Sequence, residues 1–484
     1  MTLLDDEVWS RKLFGDGWKD ATRGQPVVEP ATGARLGTVG LATAGEVTTA
    51  AARAAEAQRA WAATPPQARA AVLRRAGELF TEHAAEIEDW LVREAGSVRA
   101  KAGSEVALAR GECFECAALP THPHGEVLAS EDPRWSFARR RPAGVVSVIA
   151  PFNFPLLLGL RSVAPALALG NAVLLKPDPR TAVSGGVVIA RVFEEAGLPP
   201  GVLHLLPGDG TVGEAVVEAP EVRVVSFTGS TPVGRVIGER AGRLLKRAHL
   251  ELGGNNALVV LPGADVGKAA SAGAFGSYLH QGQICMTTGR HLVHESLLEE
   301  YTAALAAKAR ALPVGDPARE DVALGPVIDR RQLERVHAIV TGSVAAGATL
   351  AAGGEIVGAG YRATVLTDVS TDMPAWREEI FGPVAPVMGF STLEEAARIV
   401  NDCEYGLSVG ILGDVGTAMR LADRIDSGKV HINEQTVGDE PHAPFGGVKA
   451  SGTGSRFGGA AASIEAFTET QWLTVRPDIA DYPF

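Results

Sequence analysis

An α/β fold, with parallel strands joined by crossover helices, is what this sequence predicts, and three observations carry the prediction. Between residues 145 and 228, apolar runs at 145–150, 172–176, 202–206 and 222–228 alternate with helix-period segments at 156–169, 184–196 and 213–218. Glycine-rich loops follow two of those strands, from Gly208 to Gly213 and from Gly229 to Gly234. A second α/β stretch then opens with a strand at 257–261 and a helix at 266–280, and a chain of 484 residues has the length for two or three domains.

Composition excludes several functions. With 46% hydrophobic and 21% charged residues the chain is of the soluble globular class, and a formal net charge of −12 argues against broad nucleic-acid or anionic-membrane binding. The longest apolar tract, 145–175, is broken by Pro151, Asn153, Pro155, Arg161, Pro165 and Asn171, so it reads as buried strand, loop, helix and strand rather than a membrane span. Four cysteines and an N-terminus without a secretory apolar core point to a reducing, cytoplasmic setting.

Taken in order, residues 33–40 read as a short strand and turn, and the alanine-rich 44–61 as a helix. Helices at 65–83 and 84–94 follow, the first with Pro66 near its start and the second ending before Gly96. Cys113, Cys116, His122 and His124 are zinc-ligand types, but Cys113 and Cys116 lie in a helical stretch and the histidines flank Pro123 too closely for a finger or ribbon, so no metal is expected. Residues 126–141 alternate polar and aromatic positions like an exposed β-ribbon able to pair with a partner chain. Ligands of a parallel sheet gather at the carboxyl ends of its strands, which puts Asn153, Lys176, Gly208 and Gly229 on one rim. Gly208, Gly210 and Gly213 fit a dinucleotide-loop pattern that is weak alone, whereas Gly229 and Ser230 open a helix whose N–H groups can receive a phosphate. Beyond residue 290, strands at 291–293, 362–367, 407–412 and 430–433 alternate with helices at 297–312, 330–346 and 393–402, and 465–472 reads as a last strand.

Cys285, in the stretch from Gln281 to Thr287, is the candidate nucleophile. A thiol attacks as thiolate and needs partial exposure and nearby donors, and Gly282 and Gly289 offer backbone freedom around it.

Seven segments in order resemble the aldehyde dehydrogenase superfamily: Pro151 to Pro155, Leu175 to Pro177, Phe227 to Ser230, Glu251 to Gly254, Gly282 to Cys285, Glu379 to Pro383 and Pro444 to Gly447. The resemblance implies two Rossmann-like domains plus a small β oligomerisation ribbon. Residues 1–119 with 139–251 would bind cofactor, 252–464 would be catalytic, and 120–138 with 465–484 would form the ribbon of a homodimer or homotetramer. It further implies that Cys285 attacks an aldehyde, that the Asn153 amide and the Cys285 N–H hold the oxyanion, and that Glu251 is the general base.

For an NAD or NADP cofactor the resemblance assigns Lys176 to the adenosine ribose, Gly229 and Ser230 to the pyrophosphate, Glu379 to the nicotinamide ribose and Phe381 to the nicotinamide. Pro151, Phe152, Arg180 and Gly208 are expected beside it. NAD-preferring members commonly carry an acid three residues after the lysine. Here that position is Pro179, followed by Arg180, with Asp178 one place away, so NADP is expected to be tolerated and the preference stays open. Leu156 to Arg161, and the loop from Asn433 to His442, resemble the branch that oxidises benzaldehyde- and vanillin-type aldehydes. Phe154, Leu157 and Met286 are the expected apolar pocket, with Arg161 or His442 meeting a ring substituent. The competing readings are an aliphatic or semialdehyde dehydrogenase, an acylating enzyme that passes the acyl group to coenzyme A, which Glu251 disfavours, and a thiol esterase without redox chemistry.

Overall fold

Two seven-stranded sheets, each mostly parallel, frame the molecule, whose computed structural model describes residues 2–484. Across the first sheet run Arg247–Glu251, Val222–Thr228, Val145–Ile149, Ala172–Lys176, Leu203–Leu205, Lys12–Gly15 and Gly17–Asp20. The first five are mutually parallel, as the strand–helix alternation requires, and the last two are antiparallel. Alternate residues on these strands feed opposite cores: Val146, Val148, Val173 and Leu175 pack on one face, Val145, Ile149, Ala172 and Leu174 on the other.

The second sheet runs Thr349–Ala352, Thr364–Thr367, Val384–Phe390, Thr288–His294, Asn256–Val260, Ser408–Leu412 and Lys429–Ile432. Ala257, Val259 and Leu292 turn to one core, and Leu258, Val260 and Val293 to the other. A third, antiparallel sheet joins Gly125–Val127, Trp135–Pro142 and Thr468–Val475.

Several expectations are corrected. Residues 465–467 end a helix, Ala460–Phe467, and the strand starts only at Thr468, because Ala460, Ile464 and Phe467 fall at helical spacing onto the first core. The segment expected as one helix at 184–196 opens with a wide turn, Val183–Val187, before Val188–Glu195. There Gly185 lies so close to Pro155 that a Cβ would come within 2.9 Å. The strands Lys12–Gly15, Gly17–Asp20 and Val384–Phe390 were not anticipated. Cys113 and Cys116 are buried in the helix Arg99–Cys116.

The helix Val266–Tyr278 and the strand Thr288–His294 are joined through an unusual turn. His280, Gln281 and Gly282 are successively left-handed, with φ of 49°, 55° and 66°. Each non-glycine residue in that region costs about 1–2 kcal/mol. Polar contacts from both sheets' domains offset the cost. Gln281 Nε2 donates to Gly96 O and Pro326 O, both at 2.9 Å, and Gln283 Oε1 accepts from Ile328 N at 3.0 Å. The backbone around Cys285 is therefore pinned rather than flexible. Gly289 lies inside the strand, where a Cβ would meet Asn255 Oδ1 at 2.4 Å, so its role is close packing.

Gly282→Ala adds a methyl within 2.1 Å of Gly382 O on a left-handed residue. It is expected to lose more than about 1 kcal/mol of stability. Thermal denaturation, read beside the reactivity of Cys285, checks this; a wild-type melting temperature would refute it.

Candidate active site

A cleft of about 760 Å³ runs between the carboxyl ends of the first sheet's strands and the segments that lead into the second sheet's strands. Its walls include Pro151, Phe152, Asn153, Lys176, Arg180, Gly229, Ser230, Cys285, Glu379 and Phe381, so ten residues singled out from sequence meet there. Gly208 turns away: a Cβ on it would meet Val212 at 2.3 Å, and it is Gly210 and Gly213 that face the cleft. The two-sheet frame brings a cysteine and two glycine-bearing loops to one cleft.

Ser230 caps the helix Thr231–Arg243, yet its side chain makes no capping bond, which leaves the helix N-terminus open to a phosphate. Thr231 instead donates its hydroxyl to Ala450 O at 3.0 Å. Gly229 is required by closeness, since a Cβ would lie 2.4 Å from the Phe227 ring. Glu379 Oε1 accepts from Gly254 N at 3.0 Å, joining two of the sequence motifs, and burial raises its pKa to about 7. Phe381 has φ of 54° and meets Phe152 edge to face at 5.8 Å. Arg180 is held by Asp178 at 2.8 Å and Asp329 at 2.6 Å, and its guanidinium lies 4.3 Å from the centre of the Phe152 ring. These features fit a dinucleotide: an open helix N-terminus, a closely packed glycine beside it and a buried carboxylate in the same cleft.

Cys285 follows the left-handed turn. Its carbonyl accepts from Asn256 Nδ2 at 2.8 Å, and that same amide donates to Thr287 O at 2.8 Å. Asn153 Nδ2 donates to Gln283 O at 2.8 Å, leaving its second amide hydrogen for another acceptor, and among the described residues no backbone carbonyl takes the Cys285 N–H. Burial pushes the Cys285 thiol up to about 12, with Lys429 pulling the other way. Glu251 ends the strand Arg247–Glu251; one oxygen accepts from Gly447 N at 3.2 Å and the other, buried, has no partner. Burial raises the Glu251 pKa well above the carboxylate range.

Asn153 is held by groups that sequence reasoning missed. Lys101, buried, donates to Asn153 O at 2.8 Å and pairs with buried Glu105, whose other oxygen accepts from Leu156 N (3.0 Å) and Leu157 N (3.2 Å). Lys101 also stands 4.0 Å from the Phe154 ring centre. A buried lysine and glutamate four apart in a helix look in sequence like any surface i,i+4 pair.

Beyond Cys285, Met286, Ile284, Leu407 and Phe445 form an apolar cluster on which Phe154 and Val437 pack. Leu157 is buried nearby, and Arg161, one helical turn on, pairs with Asp439 at 2.7 Å and lies 4.9 Å from the Phe445 ring centre. His442 does not join this pocket. It is exposed and pairs with Glu440 at 2.9 Å, because the loop turns its side chain to solvent.

Comparison with known proteins agrees with this site. Residues 18–473 match the model of the aldehyde dehydrogenase family. Vanillin dehydrogenase of Amycolatopsis sp. (strain ATCC 39116 / 75iv2) is 63% identical, with 100% of both chains covered. Benzaldehyde dehydrogenase [NAD(+)] of Pseudomonas putida is 48% identical, with 99% of both covered. The crystal structure of a salicylaldehyde dehydrogenase from Pseudomonas putida G7, complexed with salicylaldehyde, superposes with a TM-score of 0.94 at 35% identity, covering 98% of this chain and 99% of that one. The chain belongs to the aldehyde dehydrogenase family and is an NAD(P)-dependent enzyme.

Glu112, behind Arg161, is fully buried, and burial raises its pKa to about 7 from 4.5. A folded-state pKa raised above the unfolded one gives stability that is full below about pH 4.5 and is lost as pH rises through about 7. Glu112→Gln is expected to flatten that part of the pH dependence of the melting temperature between pH 5 and 7, roughly the interval between the two values. An unaltered slope would count against it.

Proposed function

We propose that the protein oxidises an aromatic aldehyde of the benzaldehyde or vanillin type to its carboxylic acid, with Cys285 as nucleophile. The observation that carries this reading is the aromatic and thioether wall of Phe154, Met286 and Phe445 that borders Cys285. Flat apolar faces suit a ring, and the names of the relatives at 63% and 48% identity point the same way.

In this reading Glu251, through its unpartnered oxygen, takes the thiol proton, and the Cys285 sulfur adds to the aldehyde carbon to give a thiohemiacetal. The carbonyl oxygen, now negative, is met by the free Asn153 amide hydrogen and the Cys285 N–H. When bound, a nicotinamide cofactor would supply the hydride acceptor, and the thiohemiacetal carbon held by Cys285 would lose its hydride to become a thioester. Glu251, once it has released the thiol proton to solvent, would draw a proton from water, which attacks the thioester; collapse expels the Cys285 thiolate, which takes that proton from Glu251, and frees the acid. Lys176, Gly229, Ser230, Glu379 and Phe381 would hold the cofactor. With Pro179 where an acid would repel a 2′-phosphate, and Asp178 engaged by Arg180, both NAD and NADP are accommodated.

The first sheet and its helices would form the cofactor domain and the second the catalytic domain. The small sheet would assemble a homodimer or homotetramer, since it exposes Val127 (71%), Trp135 (66%) and Trp472 (65%) beside the short strand Gly125–Val127. Among the described residues no helix is long and apolar enough to cross a membrane, and the composition suits the cytoplasm.

A panel of benzaldehyde, vanillin and aliphatic aldehydes, each with NAD and NADP, tests the reading. The aromatic members should give the higher kcat/KM, and Cys285→Ala should lower turnover by about 10³-fold or more. A higher kcat/KM for an aliphatic aldehyde would sink the substrate assignment, and surviving activity in the variant would sink the nucleophile. Strict NAD use would reject the dual-cofactor inference.

A further inference from the structure

Lys429 opens the strand Lys429–Ile432, and its ammonium reaches the pocket wall beyond Cys285. Nζ donates to Gly438 O at 2.7 Å, touches Met286 Sδ and lies 4.7 Å from the centre of the Phe445 ring. Met286 directly follows Cys285, and Met286, Phe445, Val437 and Cys285 share one apolar cluster, so this cation lies against the cluster that Cys285 borders.

The charges around it do not balance. Arg161 from the helix Pro155–Ala168, Asp439 from the loop before His442, and Glu251 at the end of its strand face Lys429, with His431 and Glu434 following on its own side. Asp439 is claimed by Arg161 at 2.7 Å, and Glu112 behind it is only partly ionised near neutrality, because burial raises it to about 7. Among the described residues Lys429 forms no ion pair. Arg161 thus has an anion at contact distance, whereas Lys429 has only a carbonyl, a thioether and a ring. A half-buried ammonium without a partner is costly, and a ligand that brings an oxygen anion removes that cost.

We propose that Lys429 selects aldehydes whose aromatic ring carries an ionisable hydroxyl, by pairing with the phenolate oxygen while Phe154 and Phe445 take the ring. The inference rests on the aromatic-aldehyde reading and adds the ring substituent to it. A formyl group para to the hydroxyl withdraws electrons from the oxygen and acidifies it, so such a substrate has the charge to offer. Charge-assisted hydrogen bonds of this kind are the strong ones.

Two measurements test it. First, 4-hydroxybenzaldehyde is titrated into protein carrying Cys285→Ala, at a pH where the free phenol is mostly protonated. The long-wavelength phenolate band is expected to appear on binding, to vanish when Lys429→Met is added, and to persist with Lys429→Arg. Second, the ratio of kcat/KM for 4-hydroxybenzaldehyde over 4-methoxybenzaldehyde, whose ether cannot ionise, is expected to fall about tenfold in Lys429→Met and to stay within about threefold in Lys429→Arg. No phenolate band together with an unchanged ratio overturns the proposal. So does a Lys429→Met variant that slows both aldehydes alike, which would assign the charge to Cys285 or to the pocket's shape. Failure of the broader reading would look different, since the unsubstituted protein would then prefer an aliphatic aldehyde to benzaldehyde.

Discussion

Everything at this site depends on how Cys285 is delivered. It lies on neither helix nor strand but in the short link between them, after three residues in a backbone conformation that only glycine adopts without cost. Such a link holds its shape only if its surroundings over-determine it. Here they do: Gln281 reaches Gly96 and Pro326, Gln283 meets Ile328 and Asn153, and Asn256 grips two carbonyls on either side of Met286. The polar residues that look in sequence like a solvated loop are buried fasteners between the two α/β units. Strain in the turn and hydrogen bonds across the cleft are two sides of one arrangement, and the nucleophile's position follows from their balance.

Burial then sets the chemistry. The thiol of Cys285 and the carboxyls of Glu251 and Glu379 all have their pKa raised by loss of water, so burial works against the charged form of each. A neutral thiol is a poor nucleophile, but it is also protected from oxidation and stray electrophiles. Glu251 has an unpartnered oxygen to receive the proton, and a carboxyl of raised pKa is a stronger base once ionised than an exposed one. The same desolvation that makes the thiolate costly makes each donor near it count for more. The free hydrogen on Asn153 acts in a medium where a single hydrogen bond to a developing charge carries far more than it would in water. Lys101 and Glu105 keep that donor in place from behind, at the start of the helix Pro155–Ala168.

Legibility in the sequence followed physical range. Elements whose signal is local were read nearly to the residue: the strand Val222–Thr228, the helix Ala84–Ala95 closed by left-handed Gly96, and the alternation that makes the first sheet parallel. Motif residues that line the cleft were legible because their chemistry demands particular types, as with Gly229, Ser230, Glu379 and Cys285. Side chains that act across long sequence separations were not. Lys101, Glu105, Asn256, Asp439 and Lys429 carry no periodic mark, and their roles appear only when the fold brings distant segments together. Two residues stand apart from the other site candidates for the same reason. Gly208 fits a loop pattern but spends its missing Cβ on Val212, and His442 has a ligand's chemistry but is turned to solvent beside Glu440.

The nucleotide end of the cleft shows why a motif's departure need not translate directly into preference. Pro179 removes a carboxylate that would oppose a 2′-phosphate, which by itself favours NADP. Arg180, the nearest cation, is already shared between Asp178 and Asp329 and stacked on Phe152, so it is not a free anion receptor. For Arg180 to serve a phosphate, one of those carboxylates must give way, and the gain in one charge pair is set against the loss of another. Lys176, whose pKa is lowered by burial while Asp178 and Asp209 oppose the shift, is another cation that lines the cleft. In the proposed reading, selectivity would then be a competition for guanidinium hydrogens between the protein's own acids and the cofactor. Asp329 comes from the far side of the cleft, capping the helix Arg330–Ala345, and so would tie the choice of nucleotide to the contact between the two α/β units.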